Sequence, residues 1–566
     1  MKKFNLLLLA SASAVTLACP SLVQAEQAPA AQAAPNTVEQ VVVIGTRRTD
    51  RTLENSASPV DVISAAELKT QPSANLMDSL KNIIPSFFVG QNTISDASTF
   101  VRAPSLRGLP GDEILVMLDG KRYNRSALVQ VYSGGDTGLS FGSQGADISA
   151  IPSIAIKSLQ VLRDGATAQY GSDAIAGVLN YGLKNNKSGV ELEARYGQYF
   201  DNSDGASTQY AANMGFGLGE RGFVNVSAEY DDEEQTSRGA QRPVAVQFAA
   251  ANPSLVSKLP NWPGPVQTWG SSPSHGYKLL INAGYEVTDH SKVYLFANYA
   301  NSKADESFNY RSPITASAVD AGGSTNTLRA NEAFRNTYYL TPCPTGNATC
   351  PAGGFVKDTN TFLFTSLYPA GFTPRFVGET EEIYGTVGYK GKLASGLTYD
   401  LSGTMSQNSL DLSMYNSLSP SYGPRSQTSF KFGKLVQKET DLNLDLSYPM
   451  TVAGLAGPVV ISGGAEYRKE TYTQTAGDLQ SYGAGPYAVA QNLYSLVSPG
   501  VYTAAGTSNA LSPGASGYGG TSPEASGTWS QSNWGVYGDI ETDITNRLSV
   551  GLAARYEDYS TFGGTT

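Results

Sequence analysis

Two glycine-framed motifs and one cysteine pair are where side-chain chemistry could reside in this 566-residue chain. Gly217-Leu-Gly219-Glu-Arg-Gly222 fits the G-x-G-x-x-G pattern that cradles a pyrophosphate, but that chemistry needs a helix N-terminus behind the loop. Both flanks alternate as strands, so the segment is predicted to be a turn. Gly138-Leu-Ser140-Phe-Gly142 fits G-x-S-x-G, in which a serine nucleophile requires a strand-turn-helix elbow and a histidine base. Here it lies in the glycine-rich run "YSGGDTGLSFGSQG", and His275 and His290, the only histidines, fall among strands. Asp231-Asp232 and Glu381-Glu382 are expected as solvated rim or loop charges, not as an acid/base pair. Cys343 and Cys350, in "CPTGNATC", are expected to close a short disulfide in oxidising surroundings, two free thiols being the alternative. With no histidine near them they make no metal site. No catalytic residue, cofactor or metal is therefore expected, and no enzyme.

The elements that must position these residues follow from composition. Charged residues make up 16% of the chain, while Gly (59), Tyr (32) and Phe (20) are abundant, a mix suited to strands and turns. The net charge of −10 and the lack of a basic block exclude nucleic acid as a partner, because phosphate binding depends on clustered Lys and Arg. Residues 1–25 form an export signal: Lys2 and Lys3, an apolar stretch from Leu6 to Ala18, and a small-residue cleavage site at Val23-Gln24-Ala25. A lipoprotein signal at Cys19 is disfavoured, because Thr16-Leu17-Ala18 matches that motif poorly. No later stretch approaches about 20 continuous apolar residues, so no spanning helix is expected.

Residues 26–37, rich in Ala, Pro and Gln, read as a flexible leader. The run "VEQVVVIGTR" (38–47) is β-branched; it could add as a strand to a partner's sheet edge or serve as the first strand of the next domain. Residues 48–186 read as a compact mixed α/β unit. "SAAELK" and "SANLMDSLKNI" are helices with Ser at their N-caps, "EILVMLDGKRY" is a hairpin turning at Asp119-Gly120, and "IAIKSLQVLRDG" is a further strand.

From about 187 to 566 the pattern becomes period two. In "VELEARY", Val190, Leu192, Ala194 and Tyr196 share one face while Glu191, Glu193 and Arg195 share the other. "VNVSAEY" and "LNLDLSY" repeat it, and eleven such strands can be counted. Short turns such as "TDHSK" and "LASG" alternate with long polar stretches (233–275, 304–378 and 472–530), and Tyr196, Tyr230, Tyr299, Tyr389 and Tyr467 lie near strand ends as girdle candidates. These are features of outer-membrane barrels; a secreted solenoid or propeller would show a fixed repeat period, which is missing. Single-chain bacterial barrels generally have an even strand count, so eleven would not close. The sequence is therefore expected to be an N-terminal portion of a longer protein, or else to hide a strand in a long loop.

The stretch "RDGATAQYGSDAIAGVLNYGLK" lacks P-loop spacing, so its glycines at 165, 171, 177 and 182 are turn-makers. Together with "VEQVVVIGTR", "LRGLPGDEILVMLDGKRY" and "IPSIAIKSLQVLRDG", it resembles the energy-coupling box and plug of TonB-dependent outer-membrane receptors. The resemblance implies a mixed α/β plug inside an antiparallel transmembrane β-barrel of about 22 strands, half of them present here. It implies that Val38, Glu39, Gln40, Val41, Val42, Val43 and Ile44 bind TonB, which draws on a proton-driven inner-membrane complex. Arg107-Gly108, Asp119-Gly120, Arg163-Asp164-Gly165, Tyr170-Gly171-Ser172 and Ala176-Gly177 match plug motifs, although the commoner family pattern has Arg-Gly-Pro where this chain has Arg163-Asp164-Gly165.

The implied setting is the outer membrane of a Gram-negative cell. Lipid would surround the barrel, and a small-molecule or metal-chelate ligand would bind the outer loops and plug apices. Arg107, Arg163, Asp119 and Asp164 are expected to pair with inward charges of strands such as "VELEARY". The implied function is active uptake, with ferric siderophores as the commonest family substrates and cobalamin, haem and oligosaccharides behind them. A signal-transducing receptor would need a further domain in the 12 residues before Val38, and a passive pore or adhesin would need neither box nor plug. Aromatics in 472–530 could stack on a ligand, though loop and girdle packing is their commoner use.

Overall fold

The computed structural model describes residues 44–48, 59–73, 75–90, 93–131, 141–313, 337–343, 355–357, 364–490, 492–498, 501–507 and 510–566. The expected export signal, the leader, Val38 to Val43, Gly138 to Ser140 and Cys350 lie outside these residues. Cys343 is disulfide-bonded.

The N-terminal unit begins with β1 (Val60–Ser64), which leads into α1 (Ala65–Lys69), where the cap Ser64 accepts from Glu67 N at 3.2 Å. α2 (Leu76–Ile83) is capped by Asn75, which accepts from Met77 N at 3.0 Å, and not by Ser73 as expected. Ser73 Oγ accepts from Asn75 N at 3.1 Å, so the serine shapes the turn that precedes the cap. Next along the chain are β2 (Phe87–Val89), β3 (Pro104–Leu106), β4 (Ile114–Leu118), β5 (Lys121–Arg122), β6 (Ile156–Leu162), α3 (Thr167–Tyr170) and β7 (Gly177–Leu183). Five of these strands form one sheet in the order β1-β6-β7-β4-β5, with β4 and β7 parallel. Every side chain of β4 is buried, as its unbroken apolar run requires of a strand covered on both faces. α2 adds Leu76, Met77 and Leu80 to the same core.

The barrel portion continues with β8 (Val190–Tyr199), β9 (Asp204–Leu218), β10 (Gly222–Glu233), β11 (Ser274–Thr288) and β12 (Ser291–Ser307). After the loop strands β13 (Thr337–Pro342) and β14 (Phe355–Lys357) come β15 (Arg375–Lys392), β16 (Thr398–Tyr415), β17 (Phe430–Met450) and β18 (Val459–Gln474). Loop strands β19 (Asn492–Ser498) and β20 (Val501–Thr507) precede β21 (Gly527–Thr545), β22 (Leu548–Tyr559) and β23 (Gly563–Thr565). All eleven expected strands are present. A twelfth, β23, pairs with β22 and corrects the count; its three residues, Gly-Gly-Thr, are too short and too polar to show an alternation. The sheet runs antiparallel from β8 to β23, with β13, β14, β19 and β20 left out of it.

Alternation became two faces. On β17, Leu442, Leu444, Leu446 and Tyr448 are exposed, while Asp441 is buried and Asn443 and Asp445 are half-buried. On β10, Asn225, Ser227 and Glu229 are buried, and Glu229 accepts from Ser153 of the N-terminal unit. Tyr196, Tyr230, Tyr389 and Tyr467 sit outward, as girdle residues would. The segment from Gly217 to Gly222 links β9 to β10 and opens no helix, so its reading as a turn holds.

The long connections are more ordered than polar stretches suggest. The first holds a helix, α4 (Pro243–Ala251), with Val244, Ala245 and Phe248 buried. The two others share a four-stranded sheet, β14-β13-β19-β20, in which Thr337, Tyr338 and Tyr339 pair with Ser495, Tyr494 and Leu493.

Candidate functional site

The site is the seam where the N-terminal plug unit meets the inner wall of the sheet. Its sequence-matched motifs divide into those that shape the plug and those that touch the wall. Arg107 and Gly108 have φ of 58° and 79°, and Asp119 and Gly120 have φ of 48° and 83°. Two consecutive positive φ values mark type I′ turns, which match the twist of tight hairpins. The first is closed by Leu106 N to Leu109 O (3.1 Å) and Leu109 N to Leu106 O (3.0 Å), the second by pairing of Leu118 with Lys121.

Neither turn supplies the expected charge pairs. Arg107 donates to Arg163 O at 3.3 Å, Arg163 pairs with Asp61 at 2.7 Å, and Asp164 accepts from Gly165 N at 2.9 Å. Asp119 Oδ1 lies 3.5 Å from Leu183 N. The hydrogen bonds and ion pairs of all four charges thus stay within the plug. The inward charges of β8 do meet the plug, through other residues. Lys184 pairs with Glu191 at 2.8 Å, Lys69 also pairs with Glu191, and Arg195 donates to the carbonyls of Lys69 (3.3 Å) and Gln71 (3.4 Å).

The glycine-punctuated stretch carries the approach to the wall. α3 ends at Gly171, with φ of 98°; a Cβ there would sit 3.1 Å from Glu557 Oε1 and 3.2 Å from guanidinium nitrogens of Arg122 and Arg555. Only glycine lets the backbone pass this close with that φ. Ser172 N then donates to Glu557 Oε2 at 3.3 Å, and Ser172 Oγ and Tyr559 Oη lie 2.6 Å apart. At Gly177 a Cβ would stand 2.3 Å from Leu162 O, so the same residue type permits close packing of β7 on β6. Gly165 has an ordinary backbone and faces Ile175 O.

Asp173, one residue beyond the matched motif, is the hub. It pairs with Arg122 and Arg125 of the plug and with Arg468 of β18, the last two at 2.9 and 2.8 Å. Burial raises its pKa, but Arg468, Arg125 and Arg122 outweigh that and hold its carboxyl well below the usual aspartate range. The network extends through Arg122 to Glu466 (3.5 Å), Arg555 to Glu466 (2.6 Å) and Arg125 N to Glu439 (2.9 Å).

A second polar anchor holds the start of the described chain. Gly45 N donates to Tyr170 Oη (3.1 Å), Arg47 N to Glu541 (2.9 Å), and Arg47 and Arg48 pair with Asp445 (3.2 Å) and Asp543 (2.8 Å). Burial works against the Arg47 charge, yet Asp445 keeps its pKa above the ordinary value. Ile44, expected to end the TonB-binding run, is buried with Leu115, Met117, Leu162 and Val178, so in this state it belongs to the plug core.

The opposite flank is apolar. Leu280 of β11, Tyr294 and Phe296 of β12 and Tyr384 of β15 join the plug core as one cluster. Tyr123 packs on Tyr384 with ring centroids 4.9 Å apart, and Phe296 lies 6.1 Å from Tyr384. Tyr384 Oη donates to Arg122 O at 2.8 Å. Sequence alone missed these aromatics, because both faces of "SKVYLFANY" bear large residues and parity does not say which face is inward. Asp173, Arg122 and Arg125 were missed because their partners on the wall, such as Arg468, Glu466 and Glu439, lie hundreds of residues away. Among the described residues no three His, Cys, Asp or Glu side chains are placed to hold a metal ion.

Comparison with known proteins agrees with this architecture. Residues 52–178 match the family model of the TonB-dependent receptor plug domain. The chain is 24% identical over 322 residues to the vitamin B12 transporter BtuB of Photobacterium profundum, covering 55% of this chain and 49% of the relative. Its structure resembles that of the siderophore receptor PirA from Acinetobacter baumannii, with TM-score 0.53, 16% identity, and coverage of 91% of this chain and 58% of that one. A Pseudomonas aeruginosa ferric enterobactin receptor mutant in complex with enterobactin gives TM-score 0.52 and 13% identity, with 89% and 59% covered. The chain thus spans about half the length of the curated relative.

Proposed function

We propose that this chain, a member of the TonB-dependent receptors, serves energy-coupled uptake of a scarce small ligand across the outer membrane. The observation that supports this most is the anchor at Thr46 to Arg48. It comes directly after the TonB-binding run and ties it to Asp445, Glu541 and Asp543 of the wall. Tension on Val38 to Val43 would reach Arg47 first, then Tyr170 and the 165–177 segment, where charges can exchange their partners for water. Arg47 lines one cleft together with Asp289 and His290 of a short turn, which supports reading the short-turn side as the coupling, periplasmic side. The long connections then face the medium and receive the ligand.

A ferric siderophore is the substrate class we favour, in keeping with the siderophore and enterobactin receptors that share the fold. Cobalamin is the second reading, suggested by the sequence relative. The disulfide of Cys343 is assigned to Cys350 by their spacing in "CPTGNATC". In the intact receptor, deletion of Val38 to Ile44 is expected to abolish uptake while surface display stays normal. Undiminished uptake would point to a passive pore, and loss of ligand-dependent transcription with uptake retained would point to signalling.

A further inference from the structure

Segment 95–101 of the plug rests on the long-connection end of β12 and β15 through one apolar and one polar contact. Phe100 fills a seat on β15: its ring lies 5.1 Å from that of Phe376, and a Cβ at Gly378 would collide with it. Beside it, Ser95 N donates to Oε1 of Glu306, the residue that pairs with Phe376 across the two strands, at 3.0 Å. The segment is also tied to the next stretch of the plug. Ser98 bonds Gln130, whose Nε2 donates to Val101 O at 3.2 Å and whose N donates to Ser143 O at 2.9 Å. Whatever moves 95–101 therefore moves Gln130 with it.

The polar contact is made by a side chain with nothing to support a charge. Glu306 is 0% exposed, and its Oε2 has no hydrogen-bond partner. Asp96, next to the bonded amide, faces the same carboxyl and makes no hydrogen bond or ion pair among the described residues. Arg375 also acts on Glu306, but it is committed to Asp305 at 2.9 Å, and Tyr415 donates to the same aspartate at 2.6 Å. Tyr518 faces Asp96 from the loop beyond β20. A buried carboxylate with one donor, a like charge beside it and no cation of its own is costly, whereas the neutral acid is not.

β12 has 17 residues and Glu306 is the last but one, whereas a tilted strand crosses the apolar layer in about 9–11, so this carboxyl stands beyond the span. Burial, with Asp96 adding to it, pushes the Glu306 carboxyl up to about 8. The turn that presents Ser95 is itself held in a left-handed conformation at Asp96, φ 52°, which costs a non-glycine residue and which docking must offset. We propose that segment 95–101 is a proton-dependent latch, docked on the wall while Glu306 is neutral and lifted, together with Gln130, when Glu306 and Asp96 both carry charge. The docked carboxyl holds its proton more tightly than the free one. Docking is therefore fully favoured below the ordinary value of 4.5 and weakens as the pH rises through about 8. The proposal rests on the receptor reading only for placing this segment toward the medium.

Hydrogen exchange of the full-length receptor, with rates corrected for the intrinsic effect of pH, tests it. Between about pH 6 and about pH 9, protection of 95–101 is expected to fall at least about tenfold, the Ser95 amide being the direct reporter, while β4 stays constant. Glu306→Gln keeps an acceptor but cannot ionise, so it should retain the protection at the alkaline end. Asp96→Asn should move the midpoint of the fall to lower pH, and it keeps the test valid should Glu306→Gln fail to fold. Constant protection across the range, a fall that persists in Glu306→Gln, or an unmoved midpoint in Asp96→Asn would overturn the proposal. Deleting Val38 to Ile44 is expected to leave the pH response intact, so failure of the latch and failure of uptake are distinguishable.

Discussion

The plug is held against its wall by two seams of opposite chemistry. Along β11, β12 and β15 the contact is a continuation of the plug's own core, with Phe296, Tyr384 and Leu280 fully enclosed. Along β17, β18, β21 and β22 it is a mesh of carboxylates and guanidiniums centred on Asp173, Glu466 and Asp445. Separating the first seam exposes aromatic surface at about 25 cal/mol per Å2, with nothing in water to replace the contacts. Separating the second exchanges ion pairs for hydration, a near-balanced trade. The difference teaches where a pulled plug should yield. Thr46 to Arg48 are attached to the charged seam, so under the proposed coupling that side is expected to open first while the aromatic side keeps the plug inside.

This contrast can be broken most forcefully at the aromatic seam. Phe296→Ala is expected to lower plug stability by about 4 kcal/mol, within the range for emptying a buried aromatic site. Thermal unfolding of the intact receptor measures it, and a loss below about 1 kcal/mol would deny Phe296 an anchoring role. Asp173→Asn comes next, at about 3 kcal/mol, because three guanidiniums lose their shared counter-charge. Its effect should be local: hydrogen exchange should rise through 167–174 and stay unchanged in β4. Equal acceleration in both would mean that the seams do not act independently.

Gly171→Ala is expected to cost about 2 kcal/mol, combining a left-handed φ with crowding against Glu557, and to loosen the Ser172 to Tyr559 contact. The smallest effect concerns pH. The folded pKa of Asp173 lies below its unfolded value, so its stabilisation is complete above about pH 4 and lost only as pH falls through the depressed folded value. Exchange protection of 167–174 should therefore be full down to about pH 4 in the parent protein and decline progressively as the pH falls further toward the depressed folded value. In Asp173→Asn this acid step should vanish; an unchanged step would assign it to another carboxylate.

Much of the architecture is legible in the sequence because a barrel strand must alternate, and from "VELEARY" to "LSVGLAARY" every stretch that alternates became a strand. The turn pairs Arg107-Gly108 and Asp119-Gly120 were legible for a similar reason, since positive φ restricts residue choice. Partner choice was not. Arg107 and Arg163 are as charged as Arg122 and Arg125, yet the first two bond within the plug and the last two reach Glu466 and Glu470 of the wall. The loop strands were hidden because β13 finds its partner β19 about 150 residues later, and neither shows a pattern by itself.

That shared ladder outside the barrel has a practical consequence. Tyr338 and Tyr494 are joined through backbone pairing, so the two excursions that contain them form one unit of inheritance. A chimera that transplants either excursion alone would leave a strand edge without its mate. Grafting a new recognition surface onto this scaffold therefore requires exchanging both together.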